Sequence, residues 1–336
     1  MARKTRRGRD KSYAFDKRSY AQLGLNGANR FTEKELEKIH FASMEIMSQV
    51  GIKFESEEAR SILEEHGCTV EGEIVKFPVS LVEEAIRTTP SVLTLAGREK
   101  KDDYIAHPGK VAFCNFGEGV YIIDPYTREY RSTTKKDIEN ISLVADALDI
   151  FPVAYRSVAS QDAPGPTMAL HNFEGMINNT SKHIFCGADG QYNAEKMIDM
   201  AAYVVGGRDE LRRRPILSFN LCPTSPLQVN PTASGTIIAA ARAGVPVNII
   251  SMGMSGATMP IKLAGTMVTH NCEVLASITL SQCVSKGAPC LYSSSTTIMD
   301  MQNTTAPVGA PELGLISNCV AQLSQYYLIP CLVAGG

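Results

Sequence analysis

A unit that recurs through the second half of the chain restricts the fold more than any other feature. In each copy, a helix-like run reaches a tight glycine or proline turn and then enters an apolar strand. Glycine ends helices because it accepts positive φ, and proline is tolerated as the first residue of a strand. The turns and their strands are 243–246 with 247–252, 286–289 with 290–295, and 328–330 with 331–334.

Three further apolar segments, 153–159, 183–187 and 216–222, bring the number of predicted strands to six. Strands that alternate with helices imply right-handed βαβ units and a parallel sheet, so the predicted fold class is α/β. We predict a TIM-type (β/α)8 barrel rather than an open doubly wound sheet, because no dinucleotide glycine fingerprint follows any strand. A six-stranded open sheet is the alternative.

A complete barrel needs roughly 250 residues, which is more than the second half of this chain provides. We therefore expect an incomplete barrel, with about six of eight strands present, in a fragment that lacks the C-terminal units. The predicted organisation is a basic disordered tail over residues 1–30, an α+β N-terminal cap over 31–150 and the partial barrel over 151–336. Docking of an acidic partner is the alternative interpretation of the basic tail.

Composition excludes several classes of function. The net charge of −2 gives no long-range attraction to nucleic acid. No stretch approaches the roughly 20 apolar residues of a membrane span, and the N-terminus lacks the apolar core of a signal peptide. Nine cysteines without a C-x-x-C pair suggest buried thiols in a reducing compartment. We expect a cytoplasmic protein that binds neither nucleic acid nor membrane.

The segments after the strands are long, and in parallel barrels catalytic groups lie at that end. They are 160–167, 223–232, 253–262 and 296–311, and they are rich in Ser, Thr, Asn, Met, Gly and Pro. No lysine follows a strand, which disfavours Schiff-base chemistry, and no Gly-x-Ser-x-Gly motif is present. Two His-x-x-Glu pairs, His171 with Glu174 and His270 with Glu273, could begin a metal site. We interpret both as ordinary helix residues and expect no metal.

Several short motifs occur in order along the second half. They are CPTSPL at 222–227, GATMP at 256–260, LAG at 263–265, GAP at 287–289, GAPE at 309–312 and VAGG at 333–336. Together they resemble the trimethylamine:corrinoid methyltransferase family, in the pyrrolysine-containing branch of methylotrophic methanogens. The resemblance covers nearly the whole chain after the tail.

The resemblance implies that pyrrolysine, encoded by an in-frame amber codon, immediately follows Gly336 at the strand end Ala334, Gly335 and Gly336. The catalytic group would then lie outside this chain, and the truncated chain would be inactive as it stands. The implied reaction moves a methyl group from trimethylamine to the Co(I) corrinoid of a cognate corrinoid protein, in methanogenesis from methylamines. The chain itself would bind no cofactor directly. We further expect a homo-oligomer for the full-length protein.

A pocket of neutral dipoles would suit a compact, weakly hydrogen-bonding amine. We hypothesise that Asp162, Asn220, Ser251, Thr258 and Asp300 line this pocket. Three alternatives remain open at this point: a methyltransferase of the same family for glycine betaine or another quaternary amine, a non-catalytic binding fragment, and an unrelated barrel lyase or isomerase.

Overall fold

The computed structural model describes residues 29–335, so the predicted tail lies almost entirely outside the described residues, as does Gly336. The described chain forms an N-terminal region of short strands and helices followed by a regular βα region. Its α-helices are α1 Glu33–Gln49, α2 Glu57–Glu65, α3 Val79–Thr88, α4 Lys135–Ala147, α5 Met168–Ile177, α6 Gln191–Val205, α7 Arg208–Arg213, α8 Pro231–Ala243, α9 Leu263–Val284 and α10 Pro311–Tyr327.

The strands form one central parallel sheet and several small accessory sheets. They are β1 Ile52–Phe54, β2 Thr69–Glu71, β3 Ile74–Lys76, β4 Leu93–Leu95, β5 Tyr104–Ala106, β6 Tyr121–Ile123, β7 Tyr130–Ser132, β8 Val153–Tyr155, β9 His183–Gly187, β10 Leu217–Leu221, β11 Gln228–Val229, β12 Val247–Ser251, β13 Met254–Ser255, β14 Cys290–Ser294 and β15 Thr297–Ile298. The central sheet has the order β14-β12-β10-β9-β8, and all its strand pairs are parallel.

The predicted α/β barrel-type fold is confirmed, with five strands where six were predicted. Segment 331–334 is not a strand, because only Val333 makes a parallel bridge, to Ser294. The strand predicted over 153–159 ends at Tyr155, and beyond it Val158 bridges Gly119. Both ends of the sheet are therefore flanked by single bridged residues rather than by full strands.

The two faces of the central sheet carry different cores because side chains alternate along each strand. Phe219, Ile249 and Tyr292 point toward the helices and join the large cluster that holds most buried apolar residues. Phe185 and Leu291 point to the opposite face, into a smaller cluster with the β4–β5 hairpin. This hairpin packs against the inner face of the sheet.

The N-terminal region packs on the βα region through helix α9. A buried hydrogen-bond network joins them: Asn271 donates to Ser43 Oγ of α1 at 2.9 Å and to the Tyr327 hydroxyl at 2.8 Å. The Tyr292 hydroxyl donates to Asn271 Oδ1 at 2.8 Å, and His40 Nδ1 lies 3.1 Å from the Tyr327 hydroxyl. The large apolar cluster also spans both regions. The N-terminal region and the βα region therefore share one hydrophobic core.

Local signals mark the starts of two N-terminal helices. At the start of α1, Glu35 accepts hydrogen bonds from the backbone amide and the hydroxyl of Thr32, which forms a capping box. Helix α3 begins directly after Pro78, whose φ is −59°. In the described part of the chain, no helix is long and apolar enough to cross a membrane.

Replacing Met47 by Ala tests the shared core. Met47 is fully buried in α1, so we expect a loss of about 2–5 kcal/mol in the free energy of unfolding. The matched control is Phe41→Ala on the same helix, where the ring is 62% exposed and the expected change is within about 0.5 kcal/mol. Urea denaturation followed by circular dichroism measures both. A Met47→Ala transition that affects only part of the signal would contradict one shared core.

Candidate functional site

A cavity of about 1020 Å³ lies at the carboxyl ends of the central strands. Most of its lining comes from the strand ends, the N-terminal segment 106–118 and the last described residues, 330–335. Apolar side chains dominate the wall on the strand side. They include Val153, Phe185, Ile250 and Leu291. Residues near the start of α8, including Asn230 and Thr232, complete the wall.

Segment 114–119 crosses from the N-terminal region to the edge strand β8. Asn115 Nδ2 donates to the carbonyl oxygen of Tyr155 at 2.5 Å, and Asn115 Oδ1 accepts from the amide of Tyr155 at 2.9 Å. Further along, the amide of Gly119 donates to the carbonyl oxygen of Ser157 at 2.8 Å. A Cβ atom on Gly117 would overlap the carbonyl oxygen of Arg156, so glycine is required for this close approach.

This segment delivers Glu118 to the cavity, where it pairs with Arg156. Arg156 directly follows β8 and is 4% exposed, and its Nη2 donates to Oε2 of Glu118. The other oxygen, Oε1, has no hydrogen-bond partner within residues 29–335. Nε and Nη1 of Arg156 are buried and lack an acceptor in the same range. A buried N–H without an acceptor costs about 1–3 kcal/mol, so this pair is not explained by stability.

A row of polar side chains crosses the sheet on its inner face. Asn248 Nδ2 donates to Asn220 Oδ1 at 2.9 Å, and Ser293 Oγ donates to Asn248 Oδ1. Ser293 Oγ in turn accepts from the backbone amide of Leu332 at 3.1 Å. The row therefore fixes the last described segment beside β14. At its other end, Nδ2 of Asn220 is buried at the cavity wall without an acceptor among the described residues.

Glu273 of helix α9 is fully buried and holds a loop that borders the cavity. Its carboxylate accepts from Ser251 Oγ at 2.7 Å, from Ser225 Oγ at 2.9 Å and from the amide of Leu227 at 3.0 Å. Burial nevertheless raises its pKa above the ordinary glutamate value, and the three hydrogen bonds oppose that shift. Glu273 is thus a structural anchor for the CPTSPL segment.

The structure does not bring the five predicted pocket residues together. Of the five, only Asn220 lines the cavity. Ser251 points to the opposite face and donates to Glu273, since side-chain direction alternates along β12. Asp162 accepts from the first backbone amide of α4, that of Lys135, at 2.9 Å. Their roles in substrate binding remain predictions.

The remaining two predicted residues, Thr258 and Asp300, shape their own loops. Thr258 Oγ1 accepts from the amide of Met254 at 2.9 Å. Asp300 accepts from the amide of Gln302 and from Asn303 Nδ2, both at 2.8 Å. Ala334 and Gly335 do line the cavity, whereas Gly336 lies outside the described residues.

The two His-x-x-Glu pairs serve separate structural purposes. Glu174 forms an ion pair with Lys135, and His270 Nε2 lies 3.2 Å from the carbonyl oxygen of Ser293. Burial lowers the pKa of His270 to about 4, so the ring is neutral near pH 7. Within residues 29–335, no group of three or more His, Cys, Asp or Glu side chains could hold a metal ion.

Three cysteine thiols line the cavity, those of Cys114, Cys222 and Cys331, and burial raises the pKa of each. Cys222 borders the cavity with its Sγ 3.3 Å from Sδ of Met252. Burial raises the pKa of the Cys222 thiol to about 12, so almost none of it is the nucleophilic thiolate near pH 7. Cys222 therefore contributes to the neutral, polarisable part of the wall.

Sequence reasoning missed the charged pair of the cavity. Neither Glu118 nor Arg156 is among the pocket residues predicted from the sequence. A charged residue inside the apolar run 153–159 was the available signal for Arg156. No local signal connects Glu118 to it, because the two residues are 38 positions apart and meet only in the folded chain.

Fold and cavity define the class of protein: an α/β barrel-type protein with a largely apolar cavity at the carboxyl ends of its strands. Sequence comparison then gives the family. The model of the family described as "Trimethylamine methyltransferase (MTTB)" matches residues 1–336, and the chain belongs to this family.

Curated relatives share substantial identity with the chain. It is 54% identical to Trimethylamine methyltransferase MttB of Desulfitobacterium hafniense (strain DSM 10664 / DCB-2), over 95% of this chain and 66% of the relative. It is 43% identical to Trimethylamine methyltransferase MttB of Methanosarcina thermophila, over 93% and 66%. Glycine betaine methyltransferase of D. hafniense (strain Y51) is 32% identical, over 92% and 64%. The chain thus spans about two thirds of the length of these relatives.

Solved structures support the fold. The monomethylamine methyltransferase MtmB of Methanosarcina barkeri matches with a TM-score of 0.62 at 12% identity, over 94% of this chain and 64% of that one. The hydroxylamine complex of MtmB matches with the same TM-score at 11% identity, over the same shares.

The buried Glu273 gives a pH-dependent prediction. Because its folded-state pKa is raised, the folded protein keeps a proton that the unfolded chain releases near pH 4.3, roughly the ordinary glutamate value. This contribution to stability is present at low pH and is lost as pH rises through the folded-state pKa. Wild type should therefore lose stability relative to Glu273→Gln as pH rises from about 4.3, the ordinary glutamate value, toward the raised folded-state pKa.

Urea midpoints of the two proteins at several pH values measure this difference. Glu45→Gln, at an exposed position on α1, is the matched control and should show no such trend. A pH-independent difference between wild type and Glu273→Gln would contradict the raised pKa.

Proposed function

We propose that this chain belongs to a trimethylamine methyltransferase that transfers a methyl group from trimethylamine to the Co(I) corrinoid of a partner protein. The observation that carries the proposal is the 54% identity to a trimethylamine methyltransferase across 95% of the chain. The largely apolar cavity supports it, because a compact amine with three methyl groups offers little besides apolar surface.

The proposal includes pyrrolysine immediately after Gly336, as the resemblance implies. Two facts about the chain agree with this position. Ala334 and Gly335 line the cavity, and Ala334 is fixed there by its amide, which donates to the carbonyl oxygen of Ser294 at 3.0 Å. The carbonyl oxygen of Ala334 also accepts from Ser317 Oγ at 3.1 Å. Residues 334–335 are therefore part of the cavity wall.

The reaction needs a nitrogen that leaves as a neutral amine. Breaking an N–CH3 bond of a free amine would release a strongly basic amide anion, whereas a four-bonded, positive nitrogen leaves neutral. The corrinoid, when the partner protein brings it, supplies the Co(I) nucleophile. The residues of this chain bind and orient the amine and keep water away from it, so positioning is their contribution to catalysis. A cytoplasmic location, a role in methanogenesis and a homo-oligomeric state remain predictions within this proposal.

The direct test is methyl transfer by the protein purified from its native cells, with its corrinoid partner reduced to Co(I). Methylation of cobalt, which is monitored by the change in corrinoid absorbance, should occur with trimethylamine and not with glycine betaine. Transfer from glycine betaine alone would replace the proposal by the quaternary-amine methyltransferase. No transfer from either compound would contradict both.

Intact mass and C-terminal peptide sequencing of the same preparation test the expected pyrrolysine. We expect a chain well above 36.4 kDa with pyrrolysine after Gly336. A chain that ends at Gly336 would support the non-catalytic fragment instead.

A further inference from the structure

We propose that Glu118, held in place by Arg156, is the specificity-determining residue of the cavity and selects small alkylammonium cations by charge. The inference rests on the proposed function, in that the cation is the amine substrate in its positive form. It adds a named residue and a charge preference.

The placement of Glu118 is rigid on its backbone side. Asn115 forms two hydrogen bonds with Tyr155, and Gly119 is bonded to the chain after β8, so fixed residues flank Glu118 on both sides. The Glu118 side chain is 36% exposed and lines the cavity. With Oε2 on Arg156, Oε1 is the oxygen left for a ligand.

Arg156 is a positioning residue rather than a second binding group. Its side chain is only 5% exposed, and Nε and Nη1 are fully shielded from solvent. A carboxylate in the cavity cannot reach atoms that water does not touch. Arg156 Nη2 donates to the carboxylate of Glu118. The guanidinium therefore orients Glu118, and the accessible charge of the pair is negative.

The neighbouring charges favour a cation. Asp189 follows β9, lines the same cavity and lies near enough to Arg156 to act on the pKa of its guanidinium. Two carboxylates against one guanidinium leave this end of the cavity with a negative balance. Lys110 also lines the cavity, but its Nζ lies over the Tyr104 ring, 4.2 Å from the centroid.

The wall beside Glu118 suits methyl groups. Tyr155 and Phe185 line the cavity together with Glu118, and their two rings meet edge to face with centroids 6.2 Å apart. Aromatic faces and a carboxylate together are the groups that attract alkylammonium ions. Gly187 lies beside the charged pair: a Cβ there would be in van der Waals contact with Glu118 Oε1 at 3.7 Å and with Arg156 Nη2 at 3.6 Å.

Binding of tetramethylammonium, measured by calorimetry on the purified full chain, tests the proposal without catalysis. The wild type should bind tetramethylammonium about tenfold or more tighter than 2,2-dimethylpropan-1-ol, a neutral molecule of similar shape. Glu118→Gln should lose that preference. Glu118→Asp, which keeps the charge, should recover part of it. The control Glu45→Gln, outside the cavity, should bind like wild type.

Each other outcome overturns the proposal. Equal binding of the cation and the neutral probe by wild type would show that charge plays no part, and this needs no variant to fold. Wild type could instead bind glycine betaine more tightly than tetramethylammonium. If Arg156→Lys then loses this preference, the guanidinium recognises the carboxylate of the ligand. If methyl transfer from trimethylamine occurs while Glu118→Gln keeps its cation preference, this inference fails and the proposed function stands.

Discussion

The attachment of segment 114–119 to strand β8 is the interaction on which the cavity depends. Asn115 uses both its amide oxygen and its amide nitrogen on Tyr155, as a neighbouring strand would. These bonds cover an exposed sheet edge, and they also fix the register of the residues that follow. That register places Glu118 at the cavity. Only glycine at position 117 allows the segment to lie this close to the backbone of Arg156.

The opposite wall is fixed by a comparable device. The polar row of Asn220, Asn248 and Ser293 is buried inside the sheet, where apolar side chains would cost less free energy to bury. At the end of the row, Ser293 Oγ accepts a hydrogen bond from the backbone amide of Leu332. Its hydrogen bonds place 331–335 beside β14 although that segment forms no strand. The cavity thus lies between two segments that are attached to the sheet edges by side chains.

Local turn chemistry explains why so much of the fold could be predicted. Gly244 and Gly287 adopt positive φ before their strands, and the four strands from β9 to β14 in the central sheet match their predictions within a residue at each end. The site was harder to predict, because no local pattern shows which polar side chains near the strand ends face the cavity. The Ser251 side chain points to the face of the sheet away from the cavity, because side-chain direction alternates along the strand. The carboxylates of Asp162 and Asp300 accept hydrogen bonds from backbone amides of their own surroundings. Glu118 could not be found, since its partner is distant in sequence.

We infer that a small cation binds in the largely apolar cavity beside the carboxylate of Glu118, at the end where Asp189 adds a second negative charge. The most direct measurement is the crystal structure of the protein with tetramethylarsonium, whose arsenic atom is located by anomalous scattering. We expect one strong peak in the cavity within about 6 Å of the Glu118 carboxylate, the range over which opposite charges act strongly. Arsenic bound elsewhere, with the cavity free of it, would contradict the account.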